Sequence, residues 1–186
     1  MDKTIEDVLF EIVAVCENMN LEFAIMGGIA VRVHGIPRPT FDVDIELTVT
    51  QSQLQAFFDH CERLRYTIGD AYRSGWRDEV GGMPLVKMKT YLPTPRSVDV
   101  DVFINETPFQ QSIMKRRHYF DLSDRTLPFV SAEDLILLKL LANRPRDLGD
   151  IGDIIFVQRQ LDDSYMRLWA ERLGVSDRLI LVLEKS

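Results

Sequence analysis

Two short segments alternate carboxylates with large apolar residues, and this alternation constrains the chain more than any other feature of it. The first reads Phe41-Asp42-Val43-Asp44-Ile45-Glu46-Leu47 and the second Val98-Asp99-Val100-Asp101-Val102. An extended strand turns successive side chains to opposite faces. Phe41, Val43, Ile45 and Leu47 therefore share one face, and Asp42, Asp44 and Glu46 the other. In the second segment the valines face one way and Asp99 and Asp101 the other. Aspartate has poor β propensity. Two of them at alternate positions stand roughly 6–7 Å apart along a strand, and each charge makes its neighbour harder to ionise. One such strand reads as an ordinary strand with one face in water. Two in one chain read as a site for a divalent cation, because Mg²⁺ takes hard oxygen ligands and commonly joins one or two carboxylates to substrate phosphates. Two such ions about 3.5–4 Å apart would clamp the attacking and leaving oxygens of a phosphoryl or nucleotidyl transfer.

A glycine pair precedes the first of these strands. The apolar run Glu22 to Met26 enters Gly27-Gly28, Ile29 to His34 reads as a short helix, and Gly35 and Pro37 end it before the strand returns. Backbone N–H groups bared at such a turn, with a helix N-terminus behind them, suit phosphate oxygens. Glycine lets those oxygens approach without a Cβ in the way. A Gly-Gly pair alone is more often only a turn.

The rest of the chain supplies the frame. Residues 4–18 carry apolar positions at helical spacing, and Ser52 to Leu64 reads as a second amphipathic helix. Gly69 to Met83 reads as a loop or irregular hairpin. Leu85 to Leu92 and Val98 to Ile104 are strand candidates joined by a turn at Pro93-Thr94-Pro95-Arg96. Thr107-Pro108 opens a helix to about Arg117, with Pro at its first position. Ser131 to Asp134 resembles a capping box, and the helix it opens carries Leu135, Leu138, Lys139 and Ala142. The remainder after Arg144-Pro145-Arg146 reads as all helical, with Gly174 a C-terminal cap. The fold class is α+β: a small mixed or antiparallel sheet flanked by helices over residues 1–128, the catalytic core, and a helical C-terminal subdomain over residues 129–186.

Composition narrows the function classes. The 186 residues carry a net charge of −7, which argues against a general nucleic-acid coat protein. No apolar run is long enough to span a membrane. The acidic start is not that of a signal peptide. Cys16 and Cys61 form no framework and read as reduced thiols, so the expected location is cytoplasmic. The basic run Lys115-Arg116-Arg117-His118 reads first as a solvated helix end and second as a contact for an RNA backbone.

Met26-Gly27-Gly28, a spacer of thirteen residues and then Asp42-x-Asp44 resemble the nucleotidyltransferase motif of the polymerase-beta-like superfamily. Gly-Gly-x-Ala-Val, His34-Gly35, Arg38, Thr40 and Asp42-x-Asp44 are similar to the AbiEii/MenT-type branch, which belongs to toxin–antitoxin and phage-defence systems. Glu133-Asp134-Leu135, Lys139, Arg144, Asp147 and Asp150 resemble its helical signature. The resemblance is dense over residues 25–46 and 98–151. It implies an enzyme that moves a nucleotidyl group from a nucleoside triphosphate to a hydroxyl and releases pyrophosphate. It also implies two Mg²⁺ ions, with Mn²⁺ as a substitute. Asp42, Asp44 and Asp101 would be catalytic residues and metal ligands, with Asp99 an alternative third carboxylate. Gly27, Gly28, Arg38, Thr40 and Lys139 would bind the nucleotide. An RNA acceptor such as the 3′ end of tRNA and a cognate antitoxin are the partners it suggests.

Three other readings compete. Antibiotic- or protein-modifying nucleotidyltransferases share the core. A haloacid dehalogenase phosphatase also begins with Asp-x-Asp after a strand, but it requires Thr or Val where Glu46 stands. A catalytically inactive binding module would have no need of carboxylates that repel one another.

Overall fold

The computed structural model describes residues 3–90 and 97–184. A sheet runs through the molecule in the order β3-β5-β6-β2-β1-β8-β7, with β4 added along β5. Its centre is β1 (Glu22–Ile25), β2 (Asp42–Thr48) and β6 (Asp99–Ile104). The strand β1 pairs antiparallel with β2, and β2 pairs parallel with β6. Outward from β6 lie β5 (Met83–Thr90), β4 (Asp78–Val80) and β3 (Tyr66–Ile68). On the other side β8 (Arg125–Phe129) pairs parallel with β1, and β7 (His118–Leu122) closes that edge.

Helix α1 (Ile5–Asn18) is opened by a Thr4 capping box and buries Val8, Leu9, Ile12 and Val13. It packs with α3 (Gln51–Arg63), which a second box at Thr50 opens, and against β2. Val43, Ile45 and Leu47 are fully buried, as the alternation requires. Between β1 and β2 lies α2 (Gly27–His34), and α4 (Asp70–Arg73) is a single turn. Pro108 at the first turn and Thr107 at the cap open α5 (Pro108–Arg116). The other helices are α6 (Ala132–Ala142), α7 (Pro145–Val157), α8 (Asp163–Arg172) and α9 (Ser176–Leu183). Helix α6 is apolar all round and sits against α2, α7, α8 and α9. Among the described residues no helix is long and apolar enough to cross a membrane.

Several details differ from the sequence reading. The stretch 69–83 contains the turn α4 and the strand β4. A hairpin, β7–β8, precedes Ser131. The turn expected at residues 93–96 lies outside the described residues. Ser131 caps α6 by accepting from Asp134 N, while its own hydroxyl donates to the Asp134 carboxylate, so the box is only half formed. Phe41 lies just before β2 and is exposed rather than buried. Gly174 has φ +69° and Val175 N donates to Ala170 O, the Schellman closure expected of a helix-ending glycine. His34 is structural: it is buried, and its Nε2 bonds Val130 O at 2.7 Å, tying α2 to the end of β8.

Glu46 departs from the picture of a solvated acidic face. It lies between Ala24 and Phe103 in the sheet register, is fully buried, and neither carboxylate oxygen has a hydrogen-bond partner. Burial pushes its carboxyl up to about 8, offset only in part by the nearby Gln110 amide, which is committed to Ile104 O. An acid with a raised folded-state pKa binds its proton more tightly than in the unfolded chain. It therefore loses stability as pH rises from the ordinary carboxylate range through about 8. Glu46→Gln is expected to add about 1–3 kcal/mol at pH 8 and little at pH 4. Urea unfolding across that range would show the difference, and parallel curves for the two proteins would refute it.

Candidate active site

The parallel pairing of β2 with β6 places Asp42 beside Asp99 and Asp44 beside Asp101. The acidic positions of both strands thus line one face at neighbouring strands, roughly 5 Å apart across the ladder. On the far side of β6, β5 sets Lys87 beside Asp101 and Lys89 beside Asp99. Lys89 ion-pairs with Asp99 at 3.4 Å on an exposed edge. Asp101 is only partly exposed and forms no ion pair among the described residues. Burial raises the Asp44 carboxyl to about 7, and the charges of Asp42 and Asp101 add to the rise. Burial raises Asp101 as well, with Asp42 and Asp99 adding to it and Lys87 opposing.

The glycine turn is built against these carboxylates. Gly27 has φ +62°, and a Cβ there would lie 1.9 Å from Asp44 Oδ2. A Cβ on Gly28 would lie 2.3 Å from Thr40 Oγ1. Thr40 in turn donates to Asp42 Oδ1 at 2.7 Å. The start of α2 can approach β2 this closely only because neither residue has a side chain. Met26 N donates to Asp44 O at 3.0 Å and holds the turn down.

A second wall faces the carboxylates, formed by α6 and the start of α7. The cleft between the walls is lined by Gly27, Gly28, Asp44, Lys139, Arg144 and Arg146. Val80, Met83, Phe103, Leu135 and Leu138 supply its apolar lining. Lys139 is buried and donates to Asp150 at 2.5 Å and to Asp147 at 3.3 Å. Arg38 grips both oxygens of Asp150, at 2.5 and 2.7 Å. Arg146 lies 3.6 Å from Asp42 Oδ2. Asp147 also accepts from Arg144 N at 2.9 Å, which fixes the first turn of α7.

Of the residues singled out in the sequence, Gly27, Gly28, Arg38, Asp44 and Lys139 line this cleft. Asp42 adjoins it through Arg146, Thr40 through Asp42 and Asp101 through its register with Asp44, while Asp99 pairs with Lys89. Arg38 and Lys139 reach it from opposite sides and are bound to a shared carboxylate. Asp150 and Arg146 carry no role of their own in the sequence reading. The signal for them is the close run Arg144-Pro145-Arg146-Asp147, with Asp150 three residues on, at a helix start. The basic run at 115–118 lies elsewhere. Arg116 stacks on Tyr165 at 3.8 Å and faces Glu133, and Arg117 pairs with Glu22 at 3.1 Å.

Two substitutions test this construction. Gly27→Ala meets both a left-handed backbone and the Asp44 carboxylate, and should cost about 2–4 kcal/mol of stability. Asp150→Asn would strand a buried lysine and an arginine and should cost about 3–5 kcal/mol. Thermal melts of both variants beside Gly82→Ala check this. Gly82 also has positive φ but has nothing near its Cβ position, so it isolates backbone strain.

The comparisons agree with this geometry. Residues 7–172 match the family described as "Nucleotidyl transferase AbiEii toxin, Type IV TA system". No curated protein matches the chain. Among solved structures, the lincosamide antibiotic adenylyltransferase LnuA with bound lincomycin superposes with TM-score 0.55 at 20% identity, over 84% of this chain and 100% of that one. ANT(2″)-Ia in complex with adenylyl-2″-tobramycin gives 0.58 at 13% identity, over 90% and 95%. An antigenic nucleotidyltransferase-like protein from Paracoccidioides brasiliensis gives 0.50 at 19% identity, over 95% and 91%. At these identities the likeness is one of fold, whereas the family match spans most of the sequence: the chain belongs to the AbiEii nucleotidyltransferase family.

Proposed function

We propose that this enzyme is a metal-dependent nucleotidyltransferase that uses Asp42, Asp44 and Asp101, and that its acceptor is the hydroxyl of an RNA, as in a toxin acting on the 3′ end of tRNA. The observation that carries the reading is the register Asp44 beside Asp101, with Gly27 pressed against Asp44 at the start of a helix. The three carboxylates are hard oxygen donors on one face, and Asp44 and Asp101 are both held above the usual carboxylate range by burial and like charge. Such a set would suit a divalent cation. Among the described residues no three His, Cys, Asp or Glu side chains close around a point where an ion could sit. An open set of this kind suits Mg²⁺ or Mn²⁺, which here would take its remaining ligands from substrate phosphates and water.

When bound, the metal would neutralise the phosphates and lower the pKa of the attacking hydroxyl. This chain's own residues would do the rest. The N–H groups at Gly27-Gly28 would hold phosphate oxygens at the α2 N-terminus. Thr40 fixes the Asp42 carboxylate through its hydroxyl. Arg38 and Lys139, steadied by Asp150, would place positive charge along the triphosphate. Asp101 would accept the proton of the acceptor hydroxyl. The new bond joins the acceptor oxygen to the α-phosphorus, the bond from that phosphorus to the bridging oxygen breaks, and pyrophosphate leaves.

A small-molecule acceptor is the second reading. It is favoured by the near-complete overlap with LnuA and ANT(2″)-Ia, whose structures hold lincomycin and an adenylylated tobramycin. An antitoxin-type partner protein would fit either acceptor.

The test is incubation with each of four α-labelled nucleoside triphosphates, Mg²⁺ and total cellular RNA, beside Asp42→Asn and Asp101→Asn. Label is expected in RNA, with each variant losing at least about 10²-fold in rate. Label in an aminoglycoside or lincosamide supplied in place of the RNA, with none in RNA, would establish the second reading. No transfer and no Mg²⁺-dependent nucleotide binding would refute both.

A further inference from the structure

The cleft holds four cationic side chains, and they are not equivalent. Lys139 is enclosed by Asp147 and Asp150, Arg38 by Asp150, and Arg146 faces Asp42. Arg144 lines the same cleft, yet its guanidinium has no ion pair or hydrogen bond among the described residues. It shares that cleft with Asp44 and its guanidinium bonds no carboxylate, which leaves a gap between opposed charges.

Its backbone is also fixed. Asn143 ends α6 in the left-handed region at φ +50°, and Pro145 starts α7. The Asp147 carboxylate accepts Arg144 N between them. An exposed, unpaired arginine is ordinary on its own; what sets Arg144 apart is that its fork is carried on a fixed base at the wall of this cleft. Side-chain donors held at a cleft wall are what recognition of an anion requires.

On these grounds we propose that Arg144 is a substrate-binding residue that contacts phosphate oxygens of the donor's triphosphate, from the wall opposite the carboxylates. This rests on the nucleotidyltransferase reading and adds to it a specific residue. The metal-bearing strands would hold the phosphate chain from the sheet side. Arg144 would close on it from the helical side with its whole fork free, whereas Arg38 and Lys139 share theirs with Asp150.

Inorganic triphosphate with Mg²⁺ is the probe, since it needs no knowledge of the base. Titration calorimetry would compare wild type with Arg144→Ala, Arg144→Gln, Arg144→Lys and Arg167→Ala. Arg167 pairs only with Asp163 on the surface of α8 and controls for net charge. Loss of one charge-assisted contact should weaken binding by about 10- to 100-fold in the Ala and Gln variants. Lysine, which keeps the charge but not the fork, should fall between them and wild type, and Arg167→Ala should bind as wild type does. Because Arg144 is exposed and bonds no other side chain, its variants should melt with the parent. Equal affinity in wild type and both Arg144 truncations would overturn the assignment while leaving the nucleotidyltransferase reading intact. A folded wild type that binds neither Mg²⁺-triphosphate nor any Mg²⁺-nucleoside triphosphate would overturn both.

Discussion

The structure depends on one pairing, the parallel register of β2 against β6. Parallel strands cannot be joined by a tight turn, so the chain must leave β2, build α3, β3, α4, β4 and β5, and return before β6 can lie beside it. The result is that like charges meet: Asp42 stands opposite Asp99, and Asp44 opposite Asp101. The register is fixed from the other face, where Val43, Ile45 and Leu47 meet Val100, Val102 and Ile104 in a fully apolar layer. A one-residue slip would bury carboxylates and expose that layer. The apolar face thus holds in place an arrangement that the acidic face opposes.

The helical part is joined to this sheet through charge as well as packing. Arg38 comes from the loop before β2, Lys139 from the middle of α6, and Asp147 and Asp150 from one side of α7. Four groups from three elements meet at the cleft edge. The apolar contacts of α6 with α2 and α9 could tolerate some sliding, but a carboxylate bonded on both oxygens by one guanidinium cannot. The cluster therefore braces the two walls against each other, while α7 exposes Leu148 within the cluster's span and Phe156 beyond it.

Much of this is legible in the amino-acid sequence. Side-chain alternation identifies both acidic strands, and Thr107-Pro108 marks a helix start by chemistry local to two residues, whereas the caps at Thr4 and Thr50 emerge only in the structure. The glycine pair is visible there, but the reason for it is not. That Gly27 must lack a Cβ because Asp44 stands there is a contact between residues seventeen apart in sequence. Alternation assigns Glu46 to the open acidic face, because a period of two tells faces apart but not which part of a face is covered. Strand β3 and the β7–β8 hairpin leave little trace, because three- to five-residue strands with mixed polarity carry a weak periodic signal. Lys139 stands out as anomalous in an apolar helix. Its partners, eight and eleven residues on, follow only from the angle at which α7 turns back.

Asp150 holds two cations at once, and this has a consequence for what the cleft admits. The lysine and arginine already have internal counterions, Asp150 shared between them and Asp147 on the lysine, so their field is largely spent inside the protein. A singly charged anion offers either cation no more than Asp150 already provides, and drawing one away leaves a buried carboxylate partly unmatched. A polyanion spanning both cations would be the better match, and on the proposed nucleotidyltransferase reading the cluster would favour a chain of phosphates over the small anions of solution.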